Sequence, residues 1–178
     1  AVSALGAEIK IEDSLNYNGR KLVTINSSGK ISSEEKIIDC IESGSTARFM
    51  MPITRLDASG STFTGCGRLR ERPFDIYKNL FAEKGITYKD NEGKMPIFLS
   101  GRLIPGTHNL SGDVSSQFVS GLLFALPLLE DDSEINIIGD IQSLPYIQMT
   151  IEVLKEFGIC IKHETNYRKI VIPGNQSY

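Results

Sequence analysis

The sequence predicts an α/β (α+β) fold built from a repeated strand–helix–strand–helix–strand–strand unit. Three segments share one plan, in which a helix end and a glycine are followed by a strand, a polar turn and a second strand; the glycines are Gly6, Gly85 and Gly158. A glycine just past a helix commonly takes the left-handed conformation that ends it. Two short strands joined by a polar turn form a hairpin. The helices of the second and third segments begin near Pro73 and Pro145, a position that proline favours.

Each complete unit also has a matching upstream half. A hydroxyl-rich helix start leads into an apolar run, "SGSTARFMMPI" in one unit and "SSQFVSGLLFALPLL" in the other, and a strand ending in glycine follows within "STFTG" and "INIIGD". The run from Phe118 to Leu126 is interrupted only by Ser120 and Gly121. It is shorter than the about 20 residues that cross a bilayer. We therefore expect a helix that is buried on all sides.

The first copy of the unit is incomplete. The stretch "AVSALG" supplies only the end of a second helix, and a hairpin follows it. The copy's first strand, first helix and second strand would precede Ala1. We therefore expect residues 1–178 to form a single globular domain that lacks its leading segment, as part of a larger protein. A helix that begins naturally at Ala1 is the alternative.

Composition excludes several classes of function. The 178 residues are 40% hydrophobic and 23% charged, with a formal net charge of −3, which gives no global attraction to nucleic acid or to anionic membranes. The three cysteines are odd in number and widely spaced, which favours a reducing, cytoplasmic compartment. His108 and His163 have no neighbours at metal-ligand spacing, so we expect no metal site.

Two polar helix starts occupy equivalent places in the two complete units. They are Ser43-Gly44-Ser45, with Arg48 in the following turn, and Ser115-Ser116-Gln117. Helix starts carry unpaired N–H groups and favour anions. Each start can be read as a simple serine cap or as part of an anion pocket. Their repetition favours the pocket.

Two further stretches contribute candidate binding residues. In "GRLRERP", Arg68, Arg70 and Arg72 alternate, and an extended segment would place all three on one face; a solvated loop or a nucleic-acid patch is the alternative. Ser143 and Tyr146 flank a proline at another helix start. The tyrosine ring could pack on a carbocycle or belong to the core. Hydroxyls and arginines without metal or histidine chemistry predict a site for a small phosphorylated, carboxylated metabolite.

The stretches "ESGSTARF", "GRLRERP", "VSSQF" and "QSLPYIQMT" resemble, in this order and spacing, the 5-enolpyruvylshikimate-3-phosphate synthases of the shikimate pathway. The resemblance covers essentially the whole chain. It implies the N-terminal domain of a two-domain enolpyruvyl transferase, in which three units are arranged with three-fold pseudo-symmetry, helices inside and mixed sheets outside. Members transfer the enolpyruvyl group of phosphoenolpyruvate to the 5-hydroxyl of shikimate 3-phosphate, without a cofactor, in aromatic amino acid and chorismate biosynthesis.

The resemblance also implies roles for individual residues. Shikimate 3-phosphate would contact Ser115, Ser116, Gln117, Ser143 and Tyr146. Phosphoenolpyruvate would contact Arg72, Gly44, Ser45 and Gln117, with Arg48 in support; the turn at Gly44 also matters for the inhibitor glyphosate. Among the departures from the family pattern, Glu42 stands where many members have Asn, and Ser45 where Thr is common.

The family's acid–base residues match nothing in this chain. They belong to the part before Ala1 and to the second, C-terminal domain, so we expect no catalytic residue here and no turnover by the chain alone. Two alternative functions remain at this point. One is the related enolpyruvyl transfer to UDP-N-acetylglucosamine, and the other is a non-catalytic module that captures a phosphorylated metabolite.

Overall fold

The computed structural model describes residues 1–178. The first complete unit consists of β3 (Lys36–Asp39), α1 (Gly44–Thr54), β4 (Ser61–Thr64), α2 (Asp75–Glu83), β5 (Thr87–Asn91) and β6 (Lys94–Ser100). The second consists of β7 (Gly106–Ser111), α3 (Ser116–Ala125), β8 (Ser133–Ile138), α4 (Leu144–Glu156), β9 (Lys162–His163) and β10 (Lys169–Ile172). Ahead of them lie a 3₁₀ helix (Val2–Leu5), β1 (Glu8–Asp13) and β2 (Lys21–Asn26). Two further 3₁₀ helices span Gly67–Glu71 and Leu126–Leu128.

The two complete units form sheets of identical topology. Their strand orders are β3-β4-β6-β5 and β7-β8-β10-β9. In each sheet the first two strands are parallel and the remaining pairs are antiparallel. The leading β1 and β2 form a separate antiparallel ribbon. This arrangement confirms the mixed α/β fold and the repeated unit predicted from the sequence.

Glycines end the helices where the sequence predicts them. Gly6, Gly85 and Gly158 adopt φ angles of 104°, 71° and 84°, the left-handed region that carries little penalty for glycine. Pro145 lies in the first turn of α4. Pro73 stands just outside α2, because the carbonyl of the next residue, Phe74, accepts the first helical hydrogen bonds.

Helix α3 is the centre of the core. It packs against both α1 and α4, and nearly every side chain along it is buried, as its apolar run predicts. Gly121 permits the approach of α1: a Cβ at this position would overlap the backbone oxygen of Arg48 and the hydroxyl of Tyr77. The central helix thereby holds the start of α1 close to its own start. No helix in the structure combines the length and apolarity that a membrane span requires.

Candidate functional site

The starts of α1 and α3 are joined by the side chain of Gln117. Its Nε2 donates to Ser45 Oγ at 2.7 Å, and its Oε1 accepts from Arg48 Nη1 at 2.9 Å. Both contacts link segments that are far apart in the chain. The two polar helix starts of the repeated unit therefore form one connected cluster, as their equivalence in the sequence predicts.

Arg48 is a buried arginine with few partners. Only 8% of it is exposed, its guanidinium lies over the rings of Phe74 (5.3 Å) and Phe118 (4.9 Å), and its Nε has no acceptor. Burial lowers the pKa of Arg48 from its usual value, and the neighbouring charge of Arg72 lowers it further. No carboxylate lies within ion-pair distance. A buried guanidinium in this state favours a nearby anion.

Gly44 brings the second arginine into the cluster. A Cβ on Gly44 would lie 2.8 Å from the Nη1 atoms of both Arg48 and Arg72. The absent side chain thus leaves room for two guanidinium groups at the first turn of α1. Glu42 forms no ion pair with either of them; its carboxylate accepts from the backbone N–H of Arg68 at 3.2 Å. Two adjacent guanidiniums without a carboxylate form a strong local attraction for an anion.

A cleft between the starts of α3 and α4 adjoins this cluster. It encloses about 270 Å³. All five residues expected to contact shikimate 3-phosphate line it together. The complete lining is Phe49, Ser115, Ser116, Gln117, Ser120, Ser143, Tyr146, Met149 and Thr150. The lining contains no acidic residue, lysine, arginine or histidine, so the cleft supplies hydrogen-bond groups and apolar surface.

The serines of the cleft have different surroundings. Ser115 is the N-cap of α3, and its Oγ accepts from the N–H of Gln117 at 3.4 Å, which leaves its hydroxyl proton free to be donated. Ser143 precedes α4 in the left-handed region, at φ 64° and ψ 33°, and its side chain makes no capping bond. Helix capping therefore explains in part why a serine stands at position 115, but it does not explain the serine at position 143. A non-glycine residue in this conformation is a reason to suspect a functional constraint.

Tyr146 is a surface residue. It is 61% exposed, whereas its neighbour Ile147 is buried. The core-packing alternative considered for Tyr146 is therefore wrong. Its exposed side chain lines the cleft, and an aromatic ring there can pack on a bound carbocycle.

The expectation that three alternating arginines share one face of an extended segment is wrong. Residues Gly67–Glu71 form a 3₁₀ helix in place of an extended strand, and with three residues per turn alternate side chains diverge. Burial of Leu69 anchors this turn. Arg70 faces a separate surface groove beside Lys94, whereas Arg72 reaches Gly44. The structure thus brings one of the three arginines to the site.

Sequence reasoning missed the apolar wall of the cleft. Phe49 and Met149 line it, and Phe49 packs edge-on against Phe124 with ring centroids 5.2 Å apart. Phe49 directly follows Arg48, and Met149 lies one turn after Pro145, so both stood beside candidates already chosen. At the floor, the hydroxyls of Ser120 and Thr150 lie 2.8 Å apart. The ring contact joins α1 to α3, and the hydroxyl contact joins α3 to α4.

Comparisons with known proteins identify one family. The whole chain, residues 1–178, matches the family model described as EPSP synthase (3-phosphoshikimate 1-carboxyvinyltransferase). The 3-phosphoshikimate 1-carboxyvinyltransferase of Clostridium acetobutylicum is 47% identical over 177 residues, which cover 98% of this chain and 40% of that protein. The protein of the same name from Clostridium perfringens strain SM101 is 42% identical over 178 residues, 99% of this chain and 40% of that protein.

A solved structure shows the same fold. EPSP synthase from Acinetobacter baumannii superposes with a TM-score of 0.71 at 23% identity, over 98% of this chain and 38% of that chain. The chain thus spans about 40% of the length of the curated relatives that it matches. The match to the family model over its full length shows that this chain belongs to the EPSP synthase family.

Proposed function

We propose that this chain forms one side of the active-site cleft of an enzyme that transfers the enolpyruvyl group of phosphoenolpyruvate to the 5-hydroxyl of shikimate 3-phosphate. The reaction forms a C–O bond at the substrate hydroxyl and releases inorganic phosphate. The observation that carries the proposal is the position of Gln117, which lines the cleft and also bonds Ser45 and Arg48. One side chain therefore joins the proposed sites of both substrates.

The cleft would hold shikimate 3-phosphate. Ser115, Ser116 and Ser143 surround its polar end, and the hydroxyls of Ser115 and Ser143 each retain a proton to donate to a phosphate oxygen. The positive end of the α3 dipole favours the same anion. The rings of Phe49 and Tyr146 supply the apolar surface that a carbocycle needs. These features support a pose with the phosphate at the start of α3 and the carbocycle against the two rings.

The arginine cluster would hold phosphoenolpyruvate. Arg72 and Arg48 meet at Gly44 without a carboxylate partner, and guanidinium groups bind phosphate and carboxylate through paired hydrogen bonds. Ser45 and Gln117 lie beside them. The second substrate would then sit next to the first, with Gln117 between the two.

The chain would depend on a partner for the chemistry. Apart from Tyr146, the lining of the cleft contains none of the side chains that commonly act as general acid or base, since no carboxylate, histidine, lysine or cysteine is present; the scheme therefore takes a general acid and base from elsewhere. We propose that a C-terminal domain of the same protein supplies them and closes over the substrates, excluding water and strengthening the charge interactions. No cofactor has a role in this scheme. The exposed thiols of Cys66 and Cys160 support a reducing, cytoplasmic setting.

The alternatives are less well supported. The relatives and the family model carry the shikimate name, which favours that acceptor over UDP-N-acetylglucosamine. A non-catalytic binding module would bind shikimate 3-phosphate without forming product. An assay for phosphate release with both candidate acceptors separates the three functions.

The test is a double substitution, Ser115→Ala with Ser116→Ala, in the full-length protein. Hydrogen bonds to a charged group contribute roughly 1.5–3 kcal/mol each, so the Kd for shikimate 3-phosphate should rise at least about tenfold. Calorimetric titration measures the change. The matched control is Ser27→Ala with Ser28→Ala, an exposed serine pair outside the cleft, which should bind like the wild type. Unaltered binding by the Ser115/Ser116 variant would refute the assignment.

A further inference from the structure

Helix α1 contains a proline that leaves one buried carbonyl without its helical donor. Pro52 lies inside the helix, and proline has no N–H to give to the carbonyl four residues earlier. That carbonyl belongs to Arg48. The hydroxyl of Tyr77, from α2, donates to it at 2.8 Å. A side chain from another helix thus replaces the missing backbone hydrogen bond at Arg48, the residue that carries the buried guanidinium.

The same hydroxyl also meets the start of α3. It lies 2.9 Å from the carbonyl oxygen of Phe118, the residue next to Gln117. Tyr77 is fully buried, stacks on Phe81 at 5.1 Å and meets Phe118 edge-on at 4.8 Å. Burial raises its pKa well above the usual value, although the charge of Arg48 acts in the opposite direction. The group therefore remains a protonated donor between two backbone carbonyls.

The geometry leaves little freedom around this hydroxyl. Gly121 of α3 faces both the Arg48 carbonyl and the Tyr77 oxygen so closely that any side chain there would overlap them. Pro52, Gly121 and Tyr77 thus belong to three helices that meet at one point. The side chains of Arg48 and of Gln117, the residue before Phe118, form a 2.9 Å hydrogen bond with each other.

We propose that Tyr77 is a positioning residue for the phosphoenolpyruvate site, because its hydroxyl holds the backbones of Arg48 and Phe118 at the spacing that aligns Arg48 with Gln117. This inference rests on the proposed function. Tyr77 does not contact the cleft; it acts through Arg48. The expected consequence of losing the hydroxyl is a displaced guanidinium and weaker binding of phosphoenolpyruvate.

The first test is Tyr77→Phe in the full-length protein, which keeps the ring packing and removes the hydroxyl. We expect the KM for phosphoenolpyruvate to rise about tenfold. In an Arg48→Met background, which keeps a stem over the two rings but lacks the guanidinium, the same change should raise KM less than twofold. The control, Tyr88→Phe, alters a half-buried tyrosine of β5 outside the cleft and should leave KM unchanged. An unchanged KM in Tyr77→Phe, or an equal rise in both backgrounds, would overturn the proposal.

A rescue experiment tests the role of the orphaned carbonyl. Pro52→Ala restores an N–H that can serve the Arg48 carbonyl but not the Phe118 carbonyl, so adding Tyr77→Phe to this variant should raise KM clearly less than tenfold. A full tenfold rise in that background would count against the mechanism. The rescue pair also covers the case in which Tyr77→Phe alone does not fold.

A third readout separates this inference from the proposed function. In full-length protein labelled with ¹⁵N-arginine and ¹⁵N-glutamine, Tyr77→Phe should shift the Arg48 Nε–H and Gln117 side-chain amide signals. If the wild type showed no turnover of phosphoenolpyruvate, the proposed function would fail, and these signals would still decide whether Tyr77 positions Arg48. Signals that stay in place would overturn it.

Discussion

Arg48 lies within α1 and Arg55 directly follows its last residue; both are buried, yet their surroundings differ in kind. The guanidinium of Arg55 donates to the carbonyls of Gly101 and Ser59 and to the hydroxyl of Ser61. Arg48 has one side-chain acceptor, and its Nε has none. A structural arginine is satisfied by its own chain, whereas Arg48 is incompletely satisfied and lies beside a second guanidinium. This contrast at the residue scale supports a binding role for Arg48.

At Gly44 we predict that substitution by alanine weakens phosphoenolpyruvate binding with little loss of stability. The added Cβ would press on the Nη1 atoms of Arg48 and Arg72, which are the ends of flexible side chains and can move. The KM for phosphoenolpyruvate should rise several-fold, while the free energy of unfolding changes by less than about 1 kcal/mol. Steady-state kinetics and urea unfolding measure the two quantities. A large loss of stability with normal KM would contradict this account of Gly44.

His108 should make the stability of the fold depend on pH. It is 1% exposed, both ring nitrogens lack partners, and burial, with a smaller effect of Lys84, lowers its pKa from 6.5 to about 4. The unfolded chain therefore takes up the proton first as the pH falls. The stabilisation is complete above about pH 6.5 and is lost as the pH falls towards 4.

The expected loss between pH 7 and pH 5 is about 2 kcal/mol. Urea unfolding at the two pH values measures it. His108→Leu should remove this part of the pH dependence, whereas His163→Leu, at an exposed strand position, should retain it. Equal pH dependence in His108→Leu and the wild type would show that His108 is not responsible.

At the scale of elements, the contact between α1 and α3 controls the site because both helix starts contribute to it. Gly121→Ala would drive a Cβ into the backbone of Arg48, and backbone cannot give way as a side-chain end does. We expect a loss of about 1–3 kcal/mol in the free energy of unfolding. Gly60→Ala is the matched control, since its Cβ would meet only side-chain atoms, the ring of Phe98 at 3.0 Å and Cγ of Glu35 at 3.3 Å, and it should cost less. The reverse order of stabilities would contradict the packing described for α3.

The elements were largely predictable from local sequence signals. Glycines at helix ends, paired hairpin strands and the apolar run of α3 each have a local physical cause, and each prediction is confirmed. The 3₁₀ helix at Gly67–Glu71 was missed because alternating arginines fit a strand as well as a solvated turn. What decides the conformation is the burial of Leu69, a tertiary contact that spacing does not reveal.

The position of Tyr77 shows a second limit of sequence reasoning. Its hydroxyl acts on backbone carbonyls, which leave no trace in residue types. Pro52 within a helix is a visible sign that a carbonyl needs a donor, but only the packing of α2 identifies which side chain provides it. Likewise, the left-handed conformation of Ser143 has no signal in the sequence.

At the scale of the whole molecule, the pseudo-symmetry of the two units explains why the polar helix starts converge. Equivalent helices, α1 and α3, follow the first strand of equivalent sheets and pack against each other. Their starts therefore lie side by side, and Gln117 bridges them. A site assembled by repetition in this way needs few residues from each copy. The repeat was visible in the sequence, whereas the bridge required the structure.

The isolated chain should not catalyse the reaction. No carboxylate, histidine, lysine or cysteine lines the cleft, and the proposed second domain is needed to supply the general acid and base. Incubation of residues 1–178 with both substrates should release no phosphate above the uncatalysed background. Turnover by the purified chain would mean that an acid or base within it has been overlooked.

The most direct test of the account is an amide NMR titration of the full-length protein with shikimate 3-phosphate, with inorganic phosphate as the control ligand. We predict that the largest shifts fall at Ser115–Gln117, Ser143 and Tyr146, and that inorganic phosphate shifts the serines without Tyr146. Binding that leaves these residues unshifted, or the absence of binding at millimolar ligand, would contradict the assignment of the cleft to shikimate 3-phosphate.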